Sequence, residues 1–183
     1  EDDNFVVLHL KGSHFNYENR YPESFAKEHG LRTDGGDVEC YRNSIRYTDH
    51  VLERIYSYAK QKLNLQAMIY FSDHGGIPDM RRSPRFLGFK MVRIPLWTYL
   101  SDEYRKQHAG VAEALKANSD RYFTNDLVYE LVCGILDVRS NRYDRAQSIA
   151  STSYKYKRNE LLTYDGRIRI EDDDLDTNPK TMQ

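Results

Sequence analysis

Two cysteines, Cys40 and Cys133, are all this 183-residue chain has, and no Cys-x-x-Cys spacing occurs, which excludes a structural zinc knuckle by counting. Each cysteine falls in a segment that reads as helix, so spacing alone establishes no disulfide. The chain has no apolar run near the ~20 residues that cross a bilayer and no signal peptide, which says nothing of segments outside it. An excess of charge of either sign is also missing. Lys and Arg total 27 against 28 Asp and Glu, a net charge of −1, so neither a nucleic-acid footprint nor an acidic tail of domain-wide consequence is indicated.

What the sequence has is an apolar run ending abruptly in ligand chemistry. Met68-Ile69-Tyr70-Phe71 reads as a buried strand, and Ser72-Asp73-His74-Gly75-Gly76 follows it. Successive side chains of a strand face opposite ways, so Asp73 and His74 meet one ion only where the chain leaves β geometry, a departure that Gly75 and Gly76 permit. Carboxylate oxygen with imidazole nitrogen suits zinc or another divalent metal. A polar turn, with Asp73 accepting backbone N–H bonds and His74 solvated, is the competing reading.

Phe5 to Leu10 reads as a second short buried strand, breaking into Lys11-Gly12-Ser13-His14. Between the two strands, Val38, Tyr41, Ile45, Thr48, Leu52, Ile55 and Ala59 recur every three or four residues, predicting a long helix from about Val38 to Leu63. Strand, helix, strand is the order of a right-handed crossover in a parallel sheet, which would bring His14 and Asp73 to a common rim. The expected fold is therefore α/β, a mainly parallel sheet with flanking helices. His9 lies inside the first strand and reads as a core histidine, His50 as solvated or supporting, and His29 and His108 as surface residues.

Other signals fill in the chain. A loop or short helix is expected to end at Gly30, and a strand over Val92–Tyr99 is interrupted by Pro95, which implies an edge or a bulge. Ser101 opens a short acidic-start helix, Ala109–Asn118 a second, and Thr124 or Asn125 caps a third from Asp126 to about Leu136. Asp165-Gly166 suggests a hairpin, and the polar stretch from Glu171 to Gln183 reads as loosely attached. Residues 1–151 make one organised unit and 152–183 a hairpin with a polar tail.

At four ordered places the chain resembles the phosphoethanolamine transferases of the alkaline phosphatase and sulfatase superfamily. They are Gly12-Ser13-His14 with Tyr21-Pro22, then Tyr41-Arg42-Asn43-Ser44-Ile45-Arg46-Tyr47-Thr48-Asp49, then Ser72-Asp73-His74-Gly75, and last Asn125-Asp126-Leu127 through Gly134-Ile135-Leu136-Asp137-Val138. The resemblance implies the carboxy-terminal part of a sulfatase-like catalytic domain, with Asp73 and His74 as zinc ligands and His14 on the substrate phosphate. It also implies a threonine nucleophile and a further acidic ligand, both ahead of the Gly-Ser-His strand and so outside this chain. That threonine would take phosphoethanolamine from phosphatidylethanolamine, releasing diacylglycerol, and pass it to lipid A or another envelope glycan. The setting implied is the periplasmic face of a bacterial inner membrane, with membrane contact through a segment upstream.

One departure concerns the phosphate. The family places another histidine beyond the metal loop, where this chain offers Arg81, Arg82, Arg85 and Lys90, so Arg82 or Lys90 is expected to replace that imidazole. A sulfatase, phosphodiesterase or phosphoglycerol transferase shares the metal loop, and a degenerate non-catalytic domain would keep the fold.

Overall fold

The computed structural model describes residues 4–78, 89–157, 160, 162–163 and 168–169. Residues 4–64 and Pro78 fall in one compact unit, and 65–77 with the described residues from 89 onward in another.

In the first unit a 3-10 turn, Tyr17–Asn19, leads to α1, Glu23–Glu28, and to α2, Gly36–Lys62. The latter is the long helix expected from the apolar stripe. Gly30, at φ 61, stands two residues past α1, in the left-handed region where a β-carbon is penalised. Tyr17, Tyr21, Phe25, Ala26 and Cys40 form the core, with Tyr41 and Tyr47 packed on it. Two residues of the Tyr-x-Asn-Ser pattern have structural work here. Asn43 and Ser44 are fully buried. Asn43 Nδ2 donates to the Arg32 carbonyl at 2.6 Å, and Ser44 Oγ to the Tyr41 carbonyl at 2.7 Å. Cys40 and Cys133 are both buried free thiols.

The expected strand over Phe5–Leu10 is not formed. These residues are irregular, and Phe5, Val6, Val7 and Leu8 are 58 to 76% exposed. An apolar run of this kind is suited to burial on both faces. No described strand pairs with it, and a strand without a neighbour has no ladder to hold it. His9 is accordingly exposed rather than a core residue.

The second unit contains β1, Ala67–Phe71, then α3, Phe89–Val92, and β2, Leu96–Leu100. β1 and β2 pair antiparallel, Ala67 opposite Leu100 and Phe71 opposite Leu96. The crossover expected from Phe5–Leu10 is therefore not formed, and among the described residues both ladders are antiparallel, since an apolar run carries no mark of its partner's direction. β2 begins just past Pro95, whose missing N–H cannot join a ladder.

α4, Asp102–Gln107, starts under Ser101, whose Oγ accepts the Tyr104 N–H. α5, Ala109–Ala117, follows; a 3-10 turn, Asn125–Leu127, then runs into α6, Val128–Ile135. Leu100, Tyr104, Leu127, Leu131, Ile135, Ile149 and Tyr154 make this unit's core, with Ile69 of β1 packed against it. Burial pushes the hydroxyls of Tyr104 and Tyr154 up to about 12. Tyr104 donates to the Ile135 carbonyl and Tyr154 to that of Tyr122. The hairpin is present as β3, Leu162–Thr163, paired antiparallel with β4, Ile168–Arg169. Its turn and the polar stretch over Glu171–Gln183 lie outside the described residues.

Candidate metal centre at the end of the first strand

β1 ends at Phe71, and the chain bends at Asp73. The bend does not use glycine freedom: the described glycines with positive φ are Gly12, Gly30 and Gly36, and neither Gly75 nor Gly76 is among them. It is fixed instead by polar bonds. The His74 N–H donates to Asp73 Oδ1 at 3.0 Å, and Ser72 Oγ donates to the His74 carbonyl at 2.9 Å. The Gly75 N–H donates to the Met91 carbonyl at 2.6 Å, tying the loop to α3.

The result brings the two candidate ligands together. Asp73 Oδ2 lies 3.5 Å from His74 Nε2. Two donors held about 2.0–2.2 Å from one tetrahedral ion stand roughly 3.3–3.5 Å apart, so the spacing fits a shared metal. The tautomer fits as well. His74 Nδ1 is 2.7 Å from the Gly75 carbonyl, which can only accept, so Nδ1 is the donor there and, in a neutral ring, Nε2 is the nitrogen that can ligate. A backbone carbonyl on the remote nitrogen is the usual support of a ligating histidine. The Asp73 side chain is 86% exposed and that of His74 40%. Among the described residues no group of three or more His, Cys, Asp or Glu side chains gathers, so this pair supplies at most two ligands.

Sequence reasoning missed one contributor. Asn125 was expected as a helix cap, yet its Nδ2 donates to the carbonyls of Ser72 at 2.9 Å and Asp73 at 3.2 Å. The resemblance had flagged Asn125-Asp126-Leu127 as a motif, but nothing in its spacing pointed to a contact with the loop at Asp73.

His14 belongs to the first unit, and Asp73 and His74 to the second. It is exposed, past a turn at Gly12 with φ 53. Its carbonyl and that of Phe15 accept from Arg20 Nε at 3.1 Å and Nη2 at 3.0 Å. Arg81, Arg82 and Arg85 lie outside the described residues, as does the side chain of Lys90. His29, His50 and His108 pack against rings: the first two at 4.1 and 5.3 Å from Phe25, the third at 4.5 Å from Tyr104.

Residues 1–132 match the model of the sulfatase family. The chain is 31% identical over 134 residues to the Kdo(2)-lipid A phosphoethanolamine 7''-transferase of Salmonella typhimurium, covering 66% of this chain and 23% of that protein. The solved C-terminal periplasmic domain of EcEptC from Escherichia coli superposes with a TM-score of 0.68 at 23% identity, over 90% of this chain and 52% of that one. A complex of the same domain with Zn gives 0.65 at 23% identity, over 88% and 51%. At that identity the superposition speaks for the fold, which is α/β of the alkaline phosphatase and sulfatase type. The chain spans about a fifth to a third of the length of the curated relatives it matches.

Proposed function

Since the chain belongs to the sulfatase family, we propose that it forms part of the catalytic domain of a metal-dependent phosphoethanolamine transferase. The donor in this reading is phosphatidylethanolamine, and the acceptor is lipid A or another envelope glycan at the periplasmic face of a bacterial inner membrane. Nucleic acid has no part in it. The observation that carries the reading is the 3.5 Å approach of Asp73 Oδ2 to His74 Nε2, in a chain whose relatives are phosphoethanolamine transferases.

Zinc or another divalent ion bound there would supply Lewis acidity toward a phosphoryl oxygen and lower the pKa of a coordinated hydroxyl. Asp73 would hold it through Oδ2, offsetting part of its charge, and His74 through Nε2. His14, with Arg82 or Lys90, would neutralise the remaining phosphoryl oxygens; an arginine at that place adds a fork matched to two oxygens. The nucleophilic threonine and the further acidic ligand are not among these residues. The chain by itself therefore gives no turnover, and its metal chemistry is tested by binding.

Zinc titration calorimetry on the chain, with Asp73→Asn and His74→Ala beside it, is the test. Each substitution removes a donor and is expected to weaken zinc by more than the roughly 100-fold that a supporting residue costs. Zinc bound as tightly by either variant as by the parent chain would refute the site.

A further inference from the structure

We infer that Asn125 is a positioning residue for the candidate metal loop, and that its carboxamide, carried on the packed core, holds Asp73 and His74 in register for one ion. The inference rests on the metal reading above for its purpose and on separate geometry for its action.

The amide nitrogen of Asn125 spans two consecutive carbonyls, those of Ser72 and Asp73. Peptide planes are rigid, so fixing both oxygens fixes the planes on either side of the Asp73 α-carbon and with them the exit direction of its side chain. The same plane that ends in the Asp73 carbonyl begins the His74 N–H, which meets Asp73 Oδ1. One side chain thus sets the backbone from which both donors project.

Asn125 is itself well anchored. It opens the 3-10 turn whose third residue, Leu127, is 5% exposed in the core of the second unit, and Leu131 of α6 is fully buried beside it. Ile69 of β1 packs on that same core. Loop and clamp therefore hang from one packed body, which is how a supporting residue transmits rigidity to a ligand. Thr124, at the N-cap position, makes no side-chain capping bond, so the polar side chain at this helix start that reaches the loop is the asparagine.

The chemistry demands a donor. Asn125→Asp is nearly isosteric, but it sets a carboxylate oxygen against two carbonyl oxygens, replacing attraction with repulsion and leaving α6 intact. Asn125→Gln keeps the donors on a longer stem, and Thr124→Ala is the control. Two readouts are taken on the full chain: zinc affinity by titration, and amide hydrogen exchange at His74 and Gly75 without metal.

Asn125→Asp is expected to weaken zinc roughly 10- to 100-fold and to speed exchange at His74 and Gly75, with the amides of Leu131 and Ile135 unchanged. Asn125→Gln should recover part of both effects, and Thr124→Ala should move neither. The inference is overturned if Asn125→Asp matches the parent chain in loop exchange, or if exchange rises equally across α6, which would make the role merely structural. Should Asp73→Asn leave zinc affinity untouched, the metal reading fails while the exchange arm still decides whether Asn125 positions the loop. If Asn125→Asp does not fold, Asn125→Ala removes the same donors without adding charge and takes its place.

Discussion

Arg20 and Asn125 each aim a planar nitrogen group at two consecutive backbone carbonyls, but Arg20 reaches back five and six residues, whereas Asn125 reaches back fifty-two and fifty-three. The first clamp shapes the turn that carries His14, the second the turn that carries Asp73 and His74. Closing the longer loop is about three doublings of length, at about 0.6 kcal/mol each, so near 2 kcal/mol more in chain entropy. Two exposed hydrogen bonds worth about 0.5–1.5 kcal/mol apiece do not comfortably meet that. The long clamp exists because a core has already brought its two ends together; the short one needs no core.

The largest effect should come from removing that core. Leu131 is fully buried among Leu127, Leu100 and Ile135. Leu131→Ala is expected to cost about 2–5 kcal/mol through lost contacts and the cavity left behind. Urea unfolding followed by tryptophan fluorescence would measure it, since Trp97 lies in β2. Amide exchange should rise at His74 and Gly75 and stay unchanged at Asn19, whose N–H bonds the Asn16 carbonyl beside the short clamp. Equal rises at both turns would break the comparison.

A smaller effect should appear in alkali. The hydroxyls of Tyr104 and Tyr154 rise to about 12 from 10.0, mainly through burial, with the Asp137 charge adding to the first and the Arg121 cation opposing the second. The folded state then holds these protons more tightly than the unfolded chain does. Their contribution to stability is whole below pH 10 and is lost as pH rises through about 12. Tyr104→Phe should flatten part of that loss while giving up the bond to the Ile135 carbonyl. Unfolding midpoints measured across this window check it, and an unchanged slope in the variant would count against the burial argument.

How much of this was legible in the residues follows the reach of each signal. The α2 stripe was readable because its period is local, and the predicted span of Val38–Leu63 differs little from Gly36–Lys62. The acid and imidazole of the candidate metal loop were readable because they are adjacent in sequence. The Asn125 clamp was not, since no local pattern encodes a partner fifty-two residues away. The strand expected over Phe5–Leu10 failed for a related reason: apolar composition states a wish for burial, not the presence of a neighbour. Strand direction was equally hidden, because the runs at Ala67–Phe71 and Leu96–Leu100 read the same for parallel and antiparallel pairing.

Arg20→Ala should give the smallest effect and the sharpest contrast. Its two bonds lie at the surface, so their loss belongs near the low end of about 0.5–1.5 kcal/mol each, and the ends of so short a loop stay close without them. Exchange at Asn19 and Arg20 should rise, because their N–H groups bond the Asn16 and Tyr17 carbonyls within the same turn. Exchange at His74 should not. Arg20→Lys separates charge from geometry: an ammonium keeps the cation but cannot match the fork that meets both His14 and Phe15 carbonyls. If lysine restores the turn fully, charge alone held it, and the likeness between the two clamps is only apparent. If lysine behaves as alanine does, a planar donor spanning two peptide groups is what both turns require, and the difference between them is the core behind Asn125.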